Sequence, residues 1–227
     1  MADPNDLLTA FNLKDASPPV QLALALGLSA LIPAALMTLT SFTRVIIVLS
    51  FVRQGLATQN VPPNQVLIGL ALFMSMLIMK PTLDDIDQQS LQPYLNKQID
   101  GPTAVQKAGA VQKKFMLKHT RTKDLELFLY LSKAKEVPPP DDIPFFTLVP
   151  AFVISELKTA FIMGFCIYLP FLMVDLVVSS SLTAMGMVMM PPVTISAPFK
   201  VLLFVLADGW HLIAYAVAAS YNTPATG

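Results

Sequence analysis

Long apolar runs and one polar block alternate along this chain. The first apolar run, Val20–Val52, holds a single charge, Arg44. As one helix it would measure about 50 Å at about 1.5 Å per residue, against a hydrocarbon core of about 30 Å. It is too long for one upright span, and Pro33 is the residue expected to bend it. The second run, Val66–Met79, is uncharged but shorter than the about 20 residues that a span needs. Val61-Pro-Pro-Asn64 reads as a turn whose prolines start that helix. The link from Arg53 to Asn60 is short, so 20–80 is expected to form an antiparallel helical hairpin behind an N-terminal tail, 1–19.

The block 81–144 breaks the apolar pattern. Pro102-Thr103-Ala-Val-Gln106 has the spacing of a capping box. Val105, Ala108, Val111 and Phe115 then recur at helical spacing, and Leu125, Phe128, Leu129 and Ser132 repeat it in a second helix. Pro138-Pro139-Pro140 is expected to stop that helix. These features predict a small, water-exposed helical lobe. From 145 to 220 the chain turns apolar again and predicts a second long hairpin, followed by a tail, 221–227. Ala160–Val174 contains Pro170, and the last helix is expected from about Pro198 to Ser220. Between these helices, 185–190 reads Met-Gly-Met-Val-Met-Met and is followed by Pro191-Pro192. The fold class is therefore all-α: two long bent hydrophobic hairpins flanking a polar lobe.

Composition strengthens the membrane reading. Apolar residues make up 54% of the 227 residues and charged residues 13%, where soluble domains carry roughly 25% charge. Net charge is zero, which gives no sign of a nucleic-acid partner. The lone Cys166, in an apolar run without metal-ligand spacing, reads as a buried structural thiol. No basic region precedes the first apolar run: Asp3 and Asp6 come first and the first lysine is Lys14. The first hydrophobic helix is thus expected to direct insertion, or a leader precedes it.

Two groups of residues carry candidate function. Six charges stand in apolar surroundings: Arg44, Lys158 and Lys200 against Glu156, Asp175 and Asp208. A charge at the centre of a membrane helix costs about 2.5–3.5 kcal/mol on insertion scales, so pairing is expected. Arg44 and Asp208 can instead snorkel to water from helix ends, whereas Glu156 and Lys200 are expected to pair across packed helices. The second group is the methionine run, four of the 12 methionines within six residues. Methionine commonly fills gaps in cores. Here Gly186 and Pro191-Pro192 place the run on a loop, where flexible thioethers from several copies could close a pore and re-pack around a moving polypeptide. No metalloprotease HExxH, phosphate-binding Gly-rich loop or GxSxG is present, and His119 and His211 read as solvated or capping residues, so no enzyme, metal or cofactor is expected.

Several longer motifs occur in a fixed order: Leu39-Thr-Ser-Phe-Thr-Arg-Val-Ile-Ile-Val-Leu-Ser-Phe51, Pro62-Pro-Asn-Gln-Val-Leu67, Ser155-Glu-Leu-Lys-Thr-Ala-Phe161, Leu169-Pro-Phe-Leu-Met-Val-Asp-Leu-Val177, Gly186-Met-Val-Met-Met-Pro-Pro192, Pro198-Phe-Lys-Val-Leu-Leu-Phe-Val205 and Asp208-Gly-Trp210. Together they resemble the FliP family, membrane proteins of the flagellar export gate and of type III secretion, over roughly Leu36 to Tyr215. Phe115–Phe128 is similar to the flagellar branch. The resemblance implies a homo-oligomer, a pentamer, assembled with FliQ and FliR into a helical cone. FlhB would sit at the cytoplasmic entrance, and unfolded export substrates would pass through the centre. It implies a place in the bacterial inner membrane at the flagellar basal body, in contact with lipid. It also implies that Met187, Met189 and Met190 form a gasket, with Val188 as a stiffer member, and that Glu156 and Lys200 pair between neighbouring subunits.

The resemblance puts the polar lobe on the periplasmic side. The positive-inside rule points the other way, because nine of the 15 Lys and Arg lie in 81–144. That rule weakens for loops beyond about 60 residues. The rival reading is a small polytopic transporter whose intramembrane charges bind an ion or substrate. A transporter predicts a monomer or dimer in which Glu156 or Asp175 titrates. A gate predicts a large symmetric ring.

Overall fold

The computed structural model describes residues 17–58, 61–133, 138–139, 142–187 and 189–222. Among these, every regular element is helical, as the apolar periodicity implies. The order is α1 (Pro18–Leu39), α2 (Phe42–Gly55), α3 (Asn64–Ile86), a π-helical turn Asp87–Leu91, α4 (Gln92–Leu95), α5 (Gly101–His119), α6 (Thr122–Leu131), α7 (Phe145–Ala184), α8 (Pro192–Leu206) and α9 (Gly209–Ala219).

Several boundaries differ from the sequence reading for identifiable reasons. The first apolar run does break, but not at Pro33, which lies inside α1. The break comes at Thr40, whose backbone is extended (φ −118°, ψ 177°). The Thr38 and Thr40 hydroxyls donate back to the Ala34 and Leu36 carbonyls, the local competition that makes such residues end helices. The second run is not too short. Its helix continues through Lys80 and Pro81, giving 32 residues from Asn64 to Leu95, long and apolar enough to cross a membrane. In the polar block, α5 begins at Gly101 with Asp100 as its cap, so the proposed capping box lies inside the helix. The exposed Asp100 carboxyl is held below the usual carboxylate range, chiefly by the Thr103 hydroxyl. Val105 is exposed, and Ala104 takes the inward place in line with Val111 and Phe115. Helix α6 ends at Leu131, before the proline run, of which Pro140 lies outside the described residues.

Helix α7 is 40 residues long, about twice what a bilayer requires, and continues through Pro150 and Pro170. The expected single last helix is two. Helix α8 starts earlier, at Pro192, and α9 is bent 64° from it. Between them Asp208 has a left-handed backbone, φ 49°.

The described residues fall into two compact units. One takes those up to Thr40 and those of Met79–Ser155, and the other takes Ser41–Ile78 and those of Glu156–Pro224. In the first, Val111, Phe115, Met116, Leu148 and Phe152 are buried, with the Phe115 and Phe152 rings edge-on at 6.0 Å. His119 is buried beside Phe115, ring centroids 4.8 Å apart, so of the two expected roles, solvated or capping, the solvated one does not hold, and the residue lies in the last turn of α5. Ser155 Oγ accepts from the Arg121 amide at 3.0 Å and donates to Asp124 Oδ2 at 2.7 Å, tying α7 to the start of α6.

The second unit carries the larger apolar core. Val45, Val48, Leu49 and Val52 recur at helical spacing on α2 and are at most 1% exposed. They cluster with Leu67, Ala71, Ala160, Phe171, Phe204 and Val217. Two close approaches set the spacing of α2 and α7. A Cβ at Gly55 would lie 2.4 Å from Phe171 Cδ2, and one at Gly164 2.3 Å from Phe51 Cδ2, so only glycine fits at either place. The opposite face of α7 points outward: Phe161, Phe165, Leu169, Met173 and Leu176 are 43–62% exposed. Cys166 is exposed as well, contrary to the buried thiol expected. An apolar face of this extent requires lipid or protein against it.

Candidate functional site

The methionine run occupies the bend between α7 and α8, and its geometry follows from a helix stop. Gly186 adopts φ +76°, open to glycine without strain. The Gly186 amide donates to the Thr183 carbonyl and the Met187 amide to the Leu182 carbonyl, both at 3.0 Å. This pair of bonds is the Schellman cap, which satisfies the last carbonyls of α7 and turns the chain. Pro191 and Pro192 then start α8, Pro192 at a position whose missing N–H costs nothing. The side chains of the bend point away from the core: Met185 is 72% exposed, Met187 43%, Met189 96% and Met190 44%. Val188 lies outside the described residues.

The buried charges form two separate clusters. In the first, Arg44 of α2 meets Glu156 of α7. Nε donates to Oε2 at 2.8 Å and Nη2 donates to Oε1, a two-pronged contact that uses the planar guanidinium. Arg44 Nη1 donates to the Ser220 hydroxyl at 2.8 Å and its carbonyl at 3.3 Å. The Tyr221 ring lies against the guanidinium, 3.8 Å from centroid to Cζ, and its hydroxyl donates to Glu156 Oε2 at 2.5 Å. Arg44 is 3% exposed and Glu156 0%. Nearby, the Ser41 and Ser75 hydroxyls share a hydrogen bond of 2.8 Å between α2 and α3.

In the second cluster, Asp175 of α7 receives two donors from one face of α8. Lys200 Nζ donates to Oδ2 at 2.7 Å and Ser196 Oγ to Oδ1 at 2.5 Å. Ser196 and Lys200 stand one helical turn apart, which lets a single carboxylate engage both. Both are at most 2% exposed. Within the chain Glu156 and Lys200 thus have different partners, Arg44 and Asp175, and are not brought together.

Of the other charges, Lys158 is exposed, with no ion pair among the described residues. Asp208 lies 3.8 Å from His211, both largely in the open. Arg44 does not snorkel. Among the described residues no buried side-chain nitrogen or oxygen lacks a hydrogen bond, and no group of His, Cys, Asp and Glu is placed to hold a metal. The sequence reading missed Ser196, Ser220 and Tyr221. Ser196 was detectable as a hydroxyl four residues before Lys200. Tyr221 gave no signal, because it follows the last apolar helix and reads as tail.

Among the described residues two helices are long and apolar enough to cross a membrane, Asn64–Leu95 and Phe145–Ala184, and two bent pairs, Ser29–Leu39 with Phe42–Gly55 and Pro192–Leu206 with Gly209–Ala219, reach that length only together. The chain matches known proteins over nearly its whole length. Flagellar biosynthetic protein FliP of Bacillus subtilis (strain 168) is 50% identical over 220 residues, 96% of this chain and 100% of that protein. That of Cereibacter sphaeroides is 50% identical over 200 residues, 88% of this chain and 66% of its own. That of Aquifex aeolicus (strain VF5) is 47% identical over 205 residues, 89% and 86% of the two chains. The family model described as the FliP family matches residues 25–217. With membrane-length helices, buried ion pairs and a methionine bend on the same framework, this chain belongs to the FliP family, which is not a family of enzymes.

Proposed function

We propose that the chain is a pore-forming subunit of the flagellar type III protein export gate. It passes unfolded export substrates across the bacterial inner membrane and seals the resting pore with Met187, Val188, Met189 and Met190. The observation that carries this reading is the exposure of the methionines. Met185, Met187, Met189 and Met190 stand 43–96% exposed on a tightly capped bend between two apolar helices. Core filler would be covered by its own chain. Side chains this flexible, held at the tip of a hairpin, suit a seal that parts and re-forms around varied sequence.

In this reading the outward apolar face of α7 meets sister copies, five around one axis, and the FliQ and FliR subunits, with FlhB at the cytoplasmic entrance. The polar lobe faces the periplasm at the flagellar basal body. The membership of the FliP family supports these assignments. A pairing of Glu156 with Lys200 between neighbours requires each to exchange its partner within the chain, Arg44 or Asp175. The transporter reading calls for a buried charge open to a substrate, and the full engagement of Arg44, Glu156 and Lys200 counts against it.

The test is permeability. Replacing Met187, Met189 and Met190 together by alanine removes the bulk of the seal and should make resting cells leak small solutes, while the protein still accumulates. Cells as tight as those with the unaltered protein would show that another element closes the pore.

A further inference from the structure

Asp175 and Lys200 stand at equal distances from the methionine bend: Asp175 precedes Met185 by ten residues and Lys200 follows Met190 by ten. At about 1.5 Å per residue each arm rises about 15 Å from the ion pair to the bend. Between the pair and the bend, Val193 on α8 and Leu176 and Val177 on α7 are exposed, while Leu182 on α7 is buried. The methionine side chains of the bend carry no hydrogen-bond donor that could tie them down. Its place is therefore set from below, by whatever fixes α7 against α8.

We infer that Asp175, Ser196 and Lys200 are positioning residues: they lock the register of α7 against α8 and so fix the height at which the methionine bend is presented. Three features carry this. Both carboxylate oxygens of Asp175 are used, one by Ser196 at 2.5 Å and one by Lys200 at 2.7 Å, so rotation or sliding of either helix breaks both bonds. The two donors lie one turn apart on α8, which fixes position along the axis as well as distance between the helices. Lys200 is 2% exposed, so a shift that withdraws Asp175 leaves an uncompensated ammonium in apolar surroundings. Apolar packing alone does not supply this. Smooth aliphatic surfaces slide at small cost, whereas a directed ion pair whose ammonium is buried and whose carboxylate is 27% exposed holds to one geometry. The inference deepens the sealing role proposed above and rests on it for its consequence, but not for its geometry.

The experiment measures the arms directly. In the full-length protein, Cys166 is replaced by serine, and Thr183→Cys and Thr194→Cys carry spin labels on either side of the bend. Both threonines are exposed. The distance distribution between the labels is recorded for the purified protein in detergent, beside its unfolding midpoint. Asp175→Leu with Lys200→Met removes the lock without leaving a lone buried charge. It should widen the distribution while the midpoint is kept, and the exchanged pair Asp175→Lys with Lys200→Asp should narrow it again. An unchanged distribution in the double variant overturns the inference, whatever the methionine replacements do to permeability. A widened distribution in cells that stay tight upholds the lock and instead removes the sealing role of the bend. Should the double variant fail to accumulate, Ser196→Ala, which deletes one hydroxyl, decides the matter: widening supports the lock and no change refutes it.

Discussion

The assignment of Glu156 to Arg44 can be tested by asking which second substitution rescues the first. Glu156 is fully buried and accepts hydrogen bonds from Arg44 Nε, Arg44 Nη2 and the Tyr221 hydroxyl. Glu156→Leu removes the anion but leaves Arg44, 3% exposed, with two directed N–H groups that lose their acceptor; among the described residues Ser220 and the Tyr221 ring remain beside it. Breaking a buried pair from one side costs about 3–5 kcal/mol, because the surviving charge stays desolvated. Against total stabilities of about 5–15 kcal/mol this is a large fraction, so the variant should accumulate poorly. Adding Arg44→Met removes the orphaned charge, and apolar replacement of both partners is commonly neutral or stabilising. Most of the loss should therefore return. Adding Lys200→Met should instead worsen it, because Asp175 then loses its own partner. The assay is unfolding of the full chain in mild detergent by SDS titration, followed by the fluorescence of Trp210, the only tryptophan. Rescue by Lys200→Met and not by Arg44→Met would refute the pairing within the chain and favour the pairing between subunits.

Other predictions concern the framework. Gly164→Ala places a methyl 2.3 Å from Phe51 and should cost about 1–3 kcal/mol, whereas Gly69→Ala, with nothing within 4 Å, should gain up to about 1 kcal/mol of helix propensity; the same SDS titration reads both. At Asp208, φ 49°, a β-branched residue is strained: Asp208→Val should destabilise by about 1–2 kcal/mol and Asp208→Asn by far less. Ser155→Ala removes the hydroxyl that accepts from the Arg121 amide and donates to the Asp124 carboxylate, a loss of about 1–3 kcal/mol, seen as faster hydrogen exchange at the start of α6.

The sequence alone determined the class of the protein. Period and composition are local properties, and long apolar runs around a polar block leave few alternatives to an all-helical membrane chain. Motif order added the family. Helix interiors were also legible: Val45, Val48, Leu49 and Val52 announce a buried face by spacing alone. Ends were less so, because Pro33, Pro81 and Pro170 look like breaks yet lie within helices, while Thr40 and Ser41 form a real one. The place of the methionine run on a bend was readable from Gly186 and Pro191-Pro192. That its side chains turn outward was not.

Only the tertiary structure decided who pairs with whom. Charges of balanced sign in apolar runs favour pairing, but the energy that favours it is the same for any opposite partner, so the sequence cannot choose the pairs, nor tell that Lys158 and Asp208 lie exposed. The choice is made by which helix faces meet. Arg44 lies 112 positions from Glu156, and its further contacts to Ser220 and Tyr221 join residues 176 and 177 positions apart. Such contacts carry no periodic signature, because a residue's neighbours across helices depend on the rotation and register of each helix, which packing sets and composition does not.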